Sequence, residues 1–322
     1  MRLEVLVRRL VGLLEVSSHQ TAGGGGTMFR QFLYAVKYVL GLDKAGNDLT
    51  VFADDTFIVS YPKSGNTWTR FLIANLVNYP TGVDFSNINR LVPDPGDLSK
   101  RYLKKLPRPR VLKSHQPFDP RYKRVICIVR DPRDVVLSEY HFDVKRMAIE
   151  EGFPMESFVA RFVAGDVNHE AGSWGENVGS WMAARQNNNG FRSGENFLLV
   201  RYEDMVAGPK RELCRVATFL GINPTEERLA NAVERSSADQ MRKLEKAQAH
   251  LWSSTRETRK DKPFVRVARS GGWRTELPAS CVAEIESVWG RLMTELGYEL
   301  QVYRDSEPAS SLVGAFQPHE PS

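Results

Sequence analysis

Cysteine is scarce in this 322-residue chain, with Cys127, Cys214 and Cys281 far apart and odd in number. That usage excludes a disulfide framework and a CxxC metal site and fits a reducing, cytoplasmic compartment; no metal ion is expected. Long apolar runs are also missing, and none approaches the ~18 residues of a membrane span. The N-terminal stretch MRLEVLVRRLVGLLEV resembles a leader only briefly, because Arg8 and Arg9 interrupt it. It reads as a short amphipathic helix. Charge of one sign is not concentrated either. The net charge of +5 and pI near 9.0 attract an anionic ligand, but the basic residues are dispersed, which argues against nucleic acid as partner. No internal repeat and no mid-chain linker occur, so one domain is the simpler reading.

What is present is an alternation of short β-branched runs with helical periodicity. Strands are expected at Thr56–Ser60, Arg110–Leu112, Arg124–Val129 and Asn196–Val200. Helices are expected where Trp68, Phe71, Leu72 and Leu76 keep helical spacing, from Pro132 past His141, and over Met155–Val163, Val178–Arg185, Pro209–Leu220, Thr225–Arg235 and Pro278–Leu296. The pattern predicts an α/β fold: a single three-layer domain with a central parallel β-sheet flanked by helices. Its expected limits are residues 28–304, after a flexible extension over 1–27 with a hinge at Gly23–Gly26. A Pro-, Ser- and Glu-rich tail over 305–322 is expected to be disordered.

Two loops carry the chemistry. YPKSGNTW at 61–68 follows an apolar run and opens a helix, a setting whose free N–H groups favour an anion. The usual nucleotide loop GxxxxGK[ST] is not satisfied, which counts against an ATP- or GTP-dependent kinase. Taken alone, the turn reads equally well as an ordinary capped helix start. RVICIVRDPRDVVLSEYHF at 124–142 ends a strand at Arg130, with Asp131 as N-cap and Pro132 in the first helical position. Arg130 then lies at the carboxyl end of a strand, and Ser138 sits roughly 9–10 Å along the helix. Together they can grip a phosphate; alternatively Arg130 pairs with Asp134 and Ser138 faces solvent.

The two loops together resemble those of the cytosolic sulfotransferases, which use 3′-phosphoadenosine 5′-phosphosulfate (PAPS) as donor. YPKSGNTW is similar to the family's YPKSGTTW, and RDPRDVVLSEYHF to its R-x-P-x-D-x-x-x-S-x-x-H-F segment. RVLKSHQPF at 110–118, GSWGENVGSW at 172–181 and VRYEDMVAGPKREL at 200–213 extend the resemblance from about Phe57 to Tyr298. It implies a P-loop-NTPase-like sulfotransferase fold and transfer of a sulfuryl group to a hydroxyl or amine of a small acceptor. A catalytically inert PAP- or PAPS-binding protein is the alternative.

The resemblance also implies roles. Lys63 and the backbone of Ser64, Gly65, Asn66 and Thr67 would hold the 5′-phosphosulfate, and Arg130 and Ser138 the 3′-phosphate. Trp68 and Tyr202 would meet the adenine, His115 would be the general base, and Lys113 a second cation. The C-terminal cofactor segment departs from the family form RKGxxGDW. In RVARSGGW at 266–273, Val267, Ala268 and Gly272 replace Lys, Gly and Asp. Arg266 and Gly271 stand in place, and Arg269 either replaces the lost charge or sits in solvent. Ser236 is expected to contact the nucleotide, although Ala238 stands where the family has an aromatic. The acceptor pocket is expected from loops 79–109, 150–175 and 243–262, with Phe85, Phe118, Phe142 and Phe153 as candidate lining. A homodimer is possible, but no dimerisation motif is recognisable.

Overall fold

The computed structural model describes residues 36–301 apart from 39, 187–189 and 267. The expected extension over 1–27, the domain start at Met28 and the tail over 305–322 lie outside the described residues.

Four strands form one parallel sheet: β1 (Thr56–Ser60), β2 (Val111–Ser114), β3 (Val125–Val129) and β4 (Phe197–Arg201), in the order β2-β1-β3-β4. Phe57 stands opposite Val125, Ile58 opposite Lys113, and Val129 opposite Arg201. β1 and β3 are buried throughout, which explains why TFIVS and VICIV read as nearly unbroken apolar runs. Successive side chains still alternate between two cores. Phe57, Val59, Val125, Cys127 and Val129 pack on one face with Trp174, Trp181 and Trp273. Ile58, Ile126, Ile128 and Val200 pack on the other with Phe71, Leu72 and Val216. Helices therefore cover both faces, and the predicted three layers are present.

The helices that position the site are α1 (Asn66–Val77), α2 (Ile88–Leu91), α3 (Lys100–Lys105), α4 (Pro132–Lys145), α5 (Met155–Ala164), α6 (Trp174–Gln186), α7 (Tyr202–Ala207), α8 (Pro209–Phe219), α9 (Glu226–Arg235), α10 (Ala238–Gln248), α11 (Ser253–Arg256), α12 (Trp273–Glu276) and α13 (Ala279–Glu295). Two differ from expectation in an instructive way. α6 begins four residues earlier than the predicted Val178, because Ser173 and Glu176 make a reciprocal capping box: Ser173 Oγ accepts from Glu176 N at 3.2 Å, and Ser173 N donates to Glu176 Oε2 at 2.9 Å. α10 crosses part of a stretch expected as loop. Ser237 caps it by accepting from Gln240 N, and only Met241 and Glu245 are buried, a polar helix with too thin an apolar stripe for periodicity to show.

β2 runs to Ser114, two residues beyond the expected Leu112, because pairing with β1 continues to Val59. All four strands thus end at one edge of the sheet. His115 follows β2, Tyr61 to Lys63 follow β1, Arg130 follows β3 and Tyr202 follows β4. Strand order lines them up as His115, Lys63, Arg130, Tyr202 across roughly 14 Å, three inter-strand gaps. This is the crevice at the carboxyl ends of the strands where open α/β sheets hold ligands.

Candidate active site

A cavity of ≈ 900 Å³ opens at that edge. It is lined by all of the catalytic and donor-binding residues singled out in the sequence except Ser64, which is fully buried with a hydroxyl that meets no partner among the described residues.

The loop between β1 and α1 is built by backbone geometry. Lys63 adopts φ +63° and Gly65 φ +99°, both left-handed. Only glycine fits at 65, since a Cβ there would come within 2.6 Å of Tyr202 Cδ2. The turn aims the first N–H groups of α1 into the cavity, where no side chain caps them. Asn66 itself turns inward. Its amide nitrogen donates to Ile58 O and to Ser60 Oγ, each at 3.1 Å, tying the helix start to the end of β1.

Lys63 Nζ lies 3.9 Å from the Phe142 ring centre and 4.3 Å from that of Phe264, between two π faces. Burial lowers the affinity of this ammonium for its proton, and the carboxylate of Glu139 opposes that. Across the loop, Arg130 donates to Lys63 O at 3.1 Å and to Arg269 O at 3.3 Å, and its guanidinium stacks 4.3 Å from the Tyr202 ring. It does not pair with Asp134. That carboxylate instead accepts from Gly271 N at 2.6 Å and Trp273 N at 3.1 Å. Ser138 lines the cavity from α4.

His115 is oriented by β1. Its Nδ1 lies 2.8 Å from Ser60 O, and a carbonyl only accepts, so Nδ1 carries the proton and Nε2 keeps its lone pair. Burial, then the charge of Lys113, pushes the imidazole down to about 3, so it is neutral near pH 7. Lys113 donates to Asp94 Oδ2 at 2.6 Å. Burial disfavours the Asp94 charge, yet Lys113 and Arg70 hold its carboxyl down to about 2. Lys113 is therefore a neutralised cation unless a ligand draws it from Asp94.

At the other end, Trp68 Nε1 donates to Ser236 O at 2.9 Å, and the indole meets Tyr202 edge-on. Ser236 Oγ accepts from Asn75 at 3.1 Å, so Ser236 anchors the wall through both its oxygens. Arg266 pairs with Glu276 at 2.8 Å, and Arg269 is exposed at the rim. The expected acceptor lining is corrected in part. Phe85 stacks on Trp252, Phe118 packs on Trp181, and Phe153 joins the core; of the four, Phe142 alone reaches the cavity. Its partner Phe264, and the polar Glu139 and Asn168, carried no sequence signal that separated them from ordinary helix and loop residues. Of the three loops expected to form the pocket, only Asn168 and Ser254 contribute; the stretch from Phe264 to Glu276, the loop from Pro62 to Trp68 and α4 supply most of the wall.

A family model described as "Sulfotransferase domain" matches residues 53–297, three quarters of the chain. The chain belongs to the sulfotransferase family. Among curated relatives, this sulfotransferase is 28% identical over 272 residues to mouse Sulfotransferase 1B1, covering 79% of this chain and 87% of the relative. It is 26% identical over 257 residues to rat Sulfotransferase 1E1, covering 75% and 84%. A crystal structure of mouse sulfotransferase SULT7A1 complexed with PAP shares its fold with TM-score 0.61, 22% identity, 78% coverage of this chain and 88% of that one. Sulfuryl transfer is thus the reaction class to which the cavity geometry belongs.

Proposed function

We propose that this sulfotransferase takes the sulfuryl group from PAPS and passes it to a small hydroxylated acceptor, with His115 as general base. The observation that carries the reading is the tautomer of His115. With Nδ1–H engaged by Ser60 O, Nε2 keeps its lone pair, and His115 lines the cavity that Lys63 also lines, at the end of the neighbouring strand. The bound PAP of SULT7A1 supports the choice of donor.

In this reading the acceptor oxygen attacks sulfur in line while His115 Nε2 takes its proton. The new O–S bond forms as the bond from sulfur to the bridging oxygen breaks, and the electron pair leaves on the 5′-phosphate. Lys63 and the N–H groups of Gly65 to Trp68 stabilise the charge that gathers there. Arg130 and Ser138 receive the 3′-phosphate, Arg266 from the far rim, and Trp68 with Tyr202 flanks the adenine. Lys113 adds positive charge at the acceptor end once the incoming anion draws it from Asp94, and Phe142 and Phe264 select an apolar or aromatic body around the reacting hydroxyl. The arriving polyanion favours the protonated imidazole, which raises the basicity of His115 from its depressed value.

Thermal shift with PAP, AMP and ATP tests the donor: stabilisation by PAP above both others is expected, and preference for ATP would overturn it. Sulfate transfer from labelled PAPS to a panel of hydroxylated compounds tests the reaction, and PAP binding without any transfer would favour an inert binder. Two buried free thiols and one exposed one support cytoplasmic residence, which fractionation tests; a homodimer is tested by light scattering.

A further inference from the structure

Glu139 stands at an unspecified position of the segment R-x-P-x-D-x-x-x-S-x-x-H-F, and nothing in the proposed reaction uses it. It is 2% exposed, it lines the same cavity as Lys63, and its Oε2 makes no hydrogen bond among the described residues. A carboxylate in that position is costly unless a cation meets it.

The other acids around the cavity are already engaged. Asp94 holds Lys113, Asp143 accepts from Arg146 Nε at 2.7 Å, Glu276 holds Arg266, and Asp134 caps two N–H groups. Among the cations, Arg130 donates through its two terminal nitrogens to the carbonyls of Lys63 and Arg269, and its Nε meets no partner among the described residues. Among the described residues the Lys63 ammonium meets the rings of Phe142 and Phe264 and no ion-pair partner within 4 Å, and Phe142 lies three residues from Glu139 on α4, on the same side of that helix.

We propose that Glu139 is the buried counter-charge of Lys63, a positioning residue that keeps the ammonium charged inside its aromatic sleeve until a donor anion takes over. The groups that face the pair are Arg130 and Lys113 on the Lys63 side and Asp143 and Arg146 on the Glu139 side, with the Asn168 amide beside the carboxyl. Burial works against both charges, and the two groups support one another. The inference concerns the free protein and does not require that PAPS be the donor.

The test is the titration of Lys63 itself. Trace acetylation with acetic anhydride across pH 6–11, read by peptide mass spectrometry against the exposed Lys246, gives its midpoint in the full chain without ligand. Glu139→Gln should move that midpoint down by about one pH unit, making Lys63 roughly tenfold more reactive near neutrality. Glu139→Asp should restore part of the shift, which a packing role would not do. An unchanged midpoint in Glu139→Gln, or equal shifts in both variants, overturns the proposal.

If Glu139→Gln fails to fold, Lys63→Met carries the test through stability. Without its cation the buried carboxyl has a raised proton affinity, so the variant should lose stability relative to wild type as pH rises from 6 to 8. Parallel pH dependence in the two proteins overturns the proposal. Neither arm uses PAP or PAPS, so failure of the donor assignment leaves this result readable, and the converse holds.

Discussion

Two loops face each other across the cavity, and they reach their shapes by different means. The loop at 61–68 is fixed from within, because it links β1 to α1, Gly65 lies under the Tyr202 ring, and Asn66 ties back to β1. The loop at 266–273 has no strand to enter or leave by. It is held from outside by Asp134, whose carboxyl binds Gly271 N and Trp273 N, and by Arg130 at Arg269 O. Backbone geometry specifies the first loop, and side chains from elsewhere, Asp134, Arg130 and Arg242, hold the second. That difference explains how the second tolerates Val267, Ala268 and Gly272 where the family form has Lys, Gly and Asp: no described contact that holds it uses those side chains.

Breaking the first loop and its neighbour on β2 should have the larger effects. His115→Ala removes the base, and turnover should fall by about 10²–10⁴ while PAP affinity, measured by calorimetry, changes little. Wild-type turnover in this variant would refute the assignment. Gly65→Ala forces a Cβ to 2.6 Å from Tyr202 in a left-handed conformation. It should destabilise the fold by about 1–3 kcal/mol in urea melts and weaken PAP more than tenfold. Unchanged binding would mean that the loop yields.

Breaking the second loop should be milder. Asp134→Ala releases two N–H groups on a partly solvated loop, so PAP should weaken about tenfold with a stability loss of roughly 1–2 kcal/mol. If binding is unaffected, the loop does not need its carboxylate. The smallest effect is expected at Ala268, exposed at φ +54°. Ala268→Gly should relieve that conformation and raise stability by up to about 1 kcal/mol, with PAP affinity unchanged.

The pH dependence sharpens the comparison on the side of the first loop. Because burial and then Lys113 hold the His115 imidazole down to about 3, the fold keeps it neutral. An imidazole depressed in the fold contributes stability above its unfolded value of ~6.5 and loses it as pH falls toward the folded value. The melting temperature of wild type should therefore drop below pH 6.5 more steeply than that of His115→Gln. Equal slopes would argue against a neutral, buried imidazole.

Much of the fold was legible because its strands are short, apolar and bounded by polar turns. Thr56–Ser60 emerges with its expected limits, and Pro132 opens α4 behind an Asp131 cap that accepts from Arg133 N. α10 was not legible, since a polar helix held by two buried side chains leaves almost no periodic trace. The rings that line the cavity were only partly legible for a related reason. Phe85, Phe118 and Phe153 have the same local surroundings in sequence as Phe142 and Phe264, and only the packing of distant helices decides which rings reach the cavity.

By itself the sequence determined the residue types and spacings that end four strands in a hydroxyl, a cation or a ring, because covalent neighbours and strand ends are local properties. Only the tertiary structure decided which nitrogen of His115 is free, that Lys113 is spent on Asp94, and that Glu139 lines the same cavity as Lys63. Those facts depend on groups 19, 55 and 76 positions apart along the chain, the separations of Lys113 from Asp94, His115 from Ser60 and Glu139 from Lys63. No local pattern records such pairs; sheet order and helix packing bring them together.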